Sequence, residues 1–264
     1  MADLMPNYCE PAFWDSRYES GPAHTQGVFE WFPSSGGDDD PVMRALHERG
    51  VPKTGRILDN GCGNSKLPFQ LLDNGYKRVV AVDFSAVVID QMRQQSVDGV
   101  LAARNPHQEE NPKETNAASA REGSWTGGTL HFFAMDSTQL AFSDDSFDAV
   151  VDKGLMDSVL ANYDRITLFR RLQPTKEPEA LRLQQAEDSL TAAGKVLSEV
   201  QRILKPGGVY LSVSFEDPGP RLPIISGHVH PGLIAPWEVS HSKFDDEKNS
   251  QLYACVKGQV KSRG

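Results

Sequence analysis

The chain has 264 residues, enough for one large α/β core with insertions and short for two independent domains, so a single domain over 1–264 is expected. Hydrophobic residues make up 39% and charged residues 24%, ordinary proportions for a globular protein, and no apolar run is long enough to cross a bilayer. A formal net charge of −9 argues against a nucleic-acid-binding surface, which shows as basic clusters, and suits a basic protein partner. Cys9, Cys62 and Cys255 stand far apart without metal or redox spacing, which argues against a disulfide framework or a metal site. Met1-Ala2-Asp3-Leu4 has neither the basic leader nor the apolar core of a secretory signal, so a cytoplasmic location is expected.

Residues 1–50 form an aromatic arm (Tyr8, Phe13, Trp14, Tyr18, Phe29, Trp31, Phe32) followed by a helix over Pro41–Arg49. The core, 51–264, then alternates strands with helices. Strand-like runs lie at Arg56–Leu58, Arg78–Val82, Thr129–Phe133 and Phe147–Val151. Helical runs cover Lys66–Asp73, stopped by Asn74-Gly75, and Ala86–Gln95. Residues 102–128 read as a flexible surface insertion, and 172–189 as a second insertion. A helix over Leu190–Leu204 carries an apolar stripe and ends at Pro206-Gly207-Gly208; Val209–Phe215 follows as a strand. Trp237–His241 and Gln251–Val256 have no helix between them and read as an antiparallel hairpin closing one edge. The whole predicts a doubly wound, mostly parallel α/β sheet of Rossmann-like type.

In such a sheet the ligand sits beyond the carboxyl ends of the strands. The first strand runs into Asp59-Asn60-Gly61-Cys62-Gly63-Asn64-Ser65, whose glycines let backbone approach a ligand closely; taken alone, Gly-x-Gly is equally a plain strand-to-helix turn. The second strand ends at Asp83, the position that hydrogen-bonds a ribose diol in nucleotide-binding sheets. After the third comes Asp136-Ser137, where a carboxylate can accept from an exocyclic amine. Three acidic strand ends point to a nucleoside. The third glycine of a dinucleotide loop is absent, Lys66 or Leu67 standing there, and Asp59 would repel a pyrophosphate while suiting a cationic amino-acid end.

Leu58-Asp59-Asn60-Gly61-Cys62-Gly63 and Leu204-Lys205-Pro206-Gly207-Gly208 resemble motifs of the class I, seven-stranded S-adenosylmethionine-dependent methyltransferases. Phe13-Trp14-Asp15-Ser16-Arg17-Tyr18, Glu30-Trp31-Phe32 and Asp152-Lys153-Gly154-Leu155-Met156-Asp157 narrow the resemblance to the subgroup that includes lysine methyltransferases of translation elongation factor 1A. A mitochondrial citrate synthase lysine methyltransferase belongs to the same broad group. The resemblance implies S-adenosyl-L-methionine as cofactor and a protein lysine, such as one on elongation factor 1A, as acceptor, with no metal and no nucleic acid. It further implies that Trp14, Tyr18 and Trp31 fold over the cofactor, that Gly61 meets its methionine end, with Asp59 and Gly63 of the same loop also among the cofactor-binding residues, and that Asp83 and Phe84 meet ribose and adenine. Asp136 and Ser137 are implied at adenine, and Lys153 near the methionine portion. The chain departs from the pattern in having Leu155-Met156 where Thr-Leu is common, and in a short region after the fifth strand.

Several points stay open on the residues themselves. The aromatic residues are either a cofactor cover or core, and Lys153 pairs either with a cofactor carboxylate or with Asp152 or Asp157. For a lysine acceptor, Asp157 is a candidate for orienting the amine and Glu216 a second, each equally a helix cap or surface carboxylate. His228 and His230 are candidates for a proton shuttle. A small-molecule methyltransferase, a scaffold that binds cofactor without turnover, and an aminopropyltransferase are the alternatives; a carboxylate at Lys153 would speak against the last.

Overall fold

The computed structural model describes residues 8–20, 30–33, 35–104, 123–125, 128–229 and 237–258. Helix α1 (Pro11–Ser20) and helix α2 (Pro41–Glu48) precede the sheet. They are followed by β1 (Arg56–Asn60), α3 (Leu67–Asp73), β2 (Arg78–Asp83), α4 (Ala86–Arg104), β3 (Gly123–Trp125), β4 (Gly128–Ala134) and β5 (Phe147–Lys153). After β5 come α5 (Leu155–Val159), α6 (Ala161–Leu172), α7 (Ala180–Ile203), β6 (Leu204–Ser214), α8 (Pro218–Ile225), β7 (Glu238–Asp245) and β8 (Ser250–Val256).

The strand order is β3-β4-β2-β1-β5-β6-β8-β7. β4, β2, β1, β5 and β6 are mutually parallel, whereas β8 runs antiparallel to β6 and β7 antiparallel to β8. The chain winds outward from β1 through β2 to β4, then returns to the other side of β1 with β5. This reversal at β1/β5 is the switch point, where loops diverge and leave a crevice at the strand ends.

Period-2 alternation along the central strands divides the core into two faces. Ile57, Val79, Ala81, Ala149, Val151 and Leu211 pack under α2, α3 and α4, through residues such as Leu46, Leu71, Ile89 and Met92. Leu58, Val80, Val82, Val150 and Tyr210 face the other way, onto Met156 of α5, Leu160 between α5 and α6, Leu197 and Val200 of α7 and Ile224 of α8. Helices on both faces and a hairpin at one edge are the architecture the sequence predicts.

The boundaries differ in instructive ways. α4 continues to Arg104, and β3, inside the segment read as a flexible insertion, pairs antiparallel with β4 and makes the sheet eight-stranded. The rest of that insertion, 105–122 and 126–127, lies outside the described residues, as do Phe29 and His230. Residues 180–189, read as insertion, are the first turns of α7, which buries Ala186 and Ser189. Helices α5 and α6 went unread because their apolar residues cover only part of a turn at a time. Pro206-Gly207-Gly208 does not separate helix from strand; it bulges within β6, where the register against β5 shifts between Phe147↔Leu204 and Ala149↔Val209.

Leu197 has no exposed surface and packs from α7 onto the sheet. Leu197→Ala should therefore cost about 2–5 kcal/mol of stability. Urea unfolding checks this, the expected result being a lower midpoint with an unchanged slope.

Candidate active site

Three strands end in buried carboxylates: Asp59 in β1, Asp83 in β2 and Asp152 in β5. A buried charge is costly unless it is hydrogen-bonded, and two of the three are. Asp83 accepts from Gly63 N and from Ser85 N, both at 3.0 Å, so one carboxylate ties the glycine loop to the start of α4. Asp152 accepts from Leu155 N at 2.6 Å, Tyr210 Oη at 2.9 Å and Ser212 Oγ at 3.1 Å, capping α5. Asp59 is different: its Oδ2 and the neighbouring Asn60 Nδ2 are buried without a hydrogen-bond partner among the described residues. Burial pushes Asp59 up to about 8, with the nearby Lys153 opposing the rise, and pushes Asp152 to about 7 and Asp83 to about 6.

Between these strand ends the loop turns sharply. Gly61 N and Cys62 N both donate to Val82 O, at 2.8 and 2.9 Å, holding the turn against β2. Gly61 has φ +73°, and a Cβ there would lie 2.8 Å from Leu155 Cβ; Gly63 has φ +50°, and its Cβ would lie 2.9 Å from the Tyr18 hydroxyl. Both glycines are thus demanded twice, by left-handed backbone and by close approach.

The N-terminal arm closes over this loop. Trp14 and Tyr18 are buried on α1 and stack with ring centroids 6.0 Å apart, and Tyr8 meets Trp31 edge to face at 5.8 Å. Ser85 Oγ donates to Asp15 Oδ1 at 2.6 Å and Gln91 Nε2 to Tyr18 O at 3.0 Å, fastening α1 to α4. Glu30 reaches into the loop, accepting from Lys66 N at 2.7 Å and Ser65 Oγ at 3.2 Å, and it pairs with Lys153 Nζ. Lys153 also donates to Phe32 O at 3.4 Å. Lys153 thus meets neither Asp152 nor Asp157, the alternatives to a cofactor carboxylate: Asp152 is consumed by α5 and β6, and Glu30 of the arm supplies a carboxylate that neither reading named.

Three cavities meet here, and Ser158 lines all of them. The first, of about 60 Å³, lies on the glycine loop and is bounded by Trp14, Tyr18, Trp31, Gly61, Gly63, Asp83, Phe84 and Lys153. The second, of about 430 Å³, shares Trp14, Phe84 and Leu155 with the first and is edged by Asp136 and Ser137. Ser137 Oγ donates to Asn60 Oδ1 at 2.7 Å, and the exposed Asp136 accepts from Thr138 N at 2.8 Å. The third, of about 330 Å³, shares Trp31 and Gly154 with the first and holds Asp157, Asp164, Glu216 and Arg221.

Ten of the eleven residues expected at a cofactor thus line two adjoining cavities, while Asp59 lines none and lies at the end of β1, behind the loop. Its orphaned oxygen and the orphaned Asn60 amide fit a ligand whose end carries both a cation and an anionic oxygen, as an amino acid does. Asp157 and Glu216 both line the third cavity. Asp157 accepts from Ser214 Oγ, from Phe215 N at 2.8 Å and from Arg221 Nη2 at 3.1 Å, so its carboxylate binds together β5–α5, β6 and α8. His228, a candidate for a proton shuttle, is exposed after α8, shares a hydrogen bond with Ser226 Oγ through Nδ1 at 2.5 Å, and lines none of the three cavities. Sequence reading missed Asp164 and Arg221, which lie in unremarkable helical segments, and assigned no role to Glu30 although it stands in a quoted motif. Among the described residues no group of three or more His, Cys, Asp or Glu could hold a metal ion, and no helix is long and apolar enough to cross a membrane.

A family model described as a methyltransferase domain matches residues 58–173. The chain is 30% identical over 202 residues to the mouse "eEF1A lysine and N-terminal methyltransferase", covering 76% of this chain but 21% of that protein. It is 28% identical over 255 residues to the mouse "EEF1A lysine methyltransferase 4", covering 97% of this chain and 78% of that one. The crystal structure of magnesium protoporphyrin IX methyltransferase from Synechocystis PCC 6803 with bound S-adenosylmethionine matches with a TM-score of 0.53 at 14% identity, over 97% of this chain and 99% of that chain. That likeness is one of fold.

Asp59, Asp83 and Asp152 all titrate higher when folded than when unfolded. Between the unfolded value near 4 and the folded ones the native state holds more protons, so this contribution to stability is fully present below about pH 4, falls steadily above it, and is lost once pH passes the folded values of about 6 to 8. In cofactor-free protein Asp59→Asn should leave the melting temperature nearly unchanged at pH 4 and raise it progressively more towards pH 8 to 9. Thermal unfolding across that range checks the sign.

Proposed function

We propose that the chain, whose residues 58–173 match a methyltransferase domain, transfers a methyl group from S-adenosylmethionine to the side-chain amine of a protein lysine, with elongation factor 1A as the acceptor. The observation that carries the reading is the junction of three cavities at Ser158, two lined by the nucleoside-type residues and the third acidic and aromatic. The two mouse relatives, named for lysine methylation of elongation factor 1A, support the choice of acceptor. Three free cysteines support a reducing, cytoplasmic setting.

When bound, the cofactor supplies an electrophilic methyl on sulfur. In our reading, Asp83 takes the ribose hydroxyls while still holding Gly63 N, and Phe84, Asp136 and Ser137 flank the adenine. Gly61 and Gly63 let the loop approach the methionine end. The Glu30–Lys153 pair, with Asp59 behind it, faces that end with one group of each sign for the ammonium and the carboxylate. Trp14, Tyr18 and Trp31 cover the site, exclude water and offer ring faces to a sulfonium. The attacking amine must be neutral and aligned with the methyl–sulfur bond, so positioning carries most of the rate. Its second proton leaves toward the carboxylates of the third cavity or to water.

Two measurements test this. Asp83→Asn removes one charge-assisted acceptor and should weaken S-adenosylmethionine binding on the order of tenfold or more in calorimetry; unchanged affinity would remove Asp83 from the site. Incubation with methyl-labelled cofactor and recombinant elongation factor 1A, alongside a lysate, should place label on a lysine by mass spectrometry. Label confined to a metabolite fraction would exclude a protein acceptor.

A further inference from the structure

The third cavity is built more specifically than the presence of Asp157 and Glu216 requires. Its walls are aromatic: Phe32 and Phe215 stack with centroids 4.2 Å apart, and Tyr8 and Trp31 stand beside them. Its polar side carries three carboxylates, Asp157, Asp164 and Glu216, against two guanidiniums, Arg165 and Arg221. Three negative and two positive charges leave a formal −1, which one ammonium would neutralise.

The carboxylates are not equivalent. Asp157 is spent on Ser214, Phe215 and Arg221, and Glu216 Oε1 accepts from Asp217 N at 3.2 Å, next to it in the chain. Asp164 Oδ2 accepts from Arg221 Nη2 at 2.9 Å, while Oδ1 accepts no hydrogen bond among the described residues. Arg221 is fully buried and holds Asp157 and Asp164 with the same nitrogen, so the Asp164 carboxylate is fixed in place from α8. Burial raises Asp164 to about 6, against the pull of Arg221, which leaves it anionic at neutral pH. About a fifth of its side chain is still exposed, at 22%.

We infer that Asp164 is the substrate-binding carboxylate of the acceptor cavity, its Oδ1 receiving the ammonium of the incoming lysine while the aromatic walls enclose the aliphatic stem. This rests on the lysine reading above and adds the residue that selects the charge. A cation brought to this wall gains a charge-assisted hydrogen bond and ring faces together, whereas a neutral side chain of the same length gains only apolar contact.

The probe is n-butylammonium, the end of a lysine side chain, with n-butanol as the uncharged control, titrated by NMR into the full chain saturated with S-adenosylhomocysteine. Asp164→Asn should weaken butylammonium binding at least tenfold, leave butanol and S-adenosylhomocysteine binding unchanged, and be partly rescued in Asp164→Glu. Unchanged butylammonium binding, or an equal loss for both probes, overturns the inference. In the wild type, the Asp164 carboxyl carbon should shift with butylammonium and not with butanol, a readout that needs no variant; no shift also overturns it. Label found on a residue other than lysine, with the butylammonium loss intact, would sink the reaction proposed above and still support this cation site.

Discussion

Burying carboxylates at the ends of parallel strands is the constraint on which the site depends. Asp59, Asp83 and Asp152 end neighbouring strands at the switch point, where their charge is hardest to keep dry. Each solution shapes a different element. Asp83 recruits Gly63 N and Ser85 N and so sets the glycine loop against α4; Asp152 recruits Leu155 N and two hydroxyls of β6 and so starts α5. Asp59 is left behind the loop with a buried oxygen that has no partner among the described residues.

The N-terminal arm answers the same electrostatic demand from outside the sheet. Glu30 caps the loop through Lys66 N and Ser65 Oγ and faces Lys153, so a negative charge joins a crowded acidic floor only because a lysine meets it there. Trp14 Nε1 donates to Tyr8 O at 2.8 Å, which lets a large ring be buried without stranding its donor. The arm is thus held by packing and by hydrogen bonds to α4 and the loop, and its aromatic residues are both core and cover.

On the opposite face the buried Arg221 performs the corresponding task. Asp157 from α5 and Asp164 from α6 approach each other only with a cation between them, and α8 delivers it. Helix α8 is itself held by Trp237, whose Nε1 donates to Ile225 O at 2.7 Å and whose ring stacks on Tyr210 at 5.7 Å. The residue that leads into the C-terminal hairpin therefore braces the helix that carries Arg221.

By itself the sequence determined the sheet class, the hairpin, the glycine loop and the residues around the first two cavities, because these depend on short-range signals. Period-2 apolar runs, glycines demanded by positive φ and carboxylates directly after strands are all readable within a few residues. It did not determine that Lys153 would meet Glu30, 123 positions away, that Trp31 would pack on Tyr8 and Trp14, or that Asp164 and Arg221 would share a cavity with Asp157. Nor did composition reveal α5, α6 and the early turns of α7, whose short or mixed apolar faces acquire meaning only against the sheet. Those features were decided by tertiary structure, since ion pairing and desolvation depend on which side chains the winding of the sheet brings together, and local sequence carries no record of that distance.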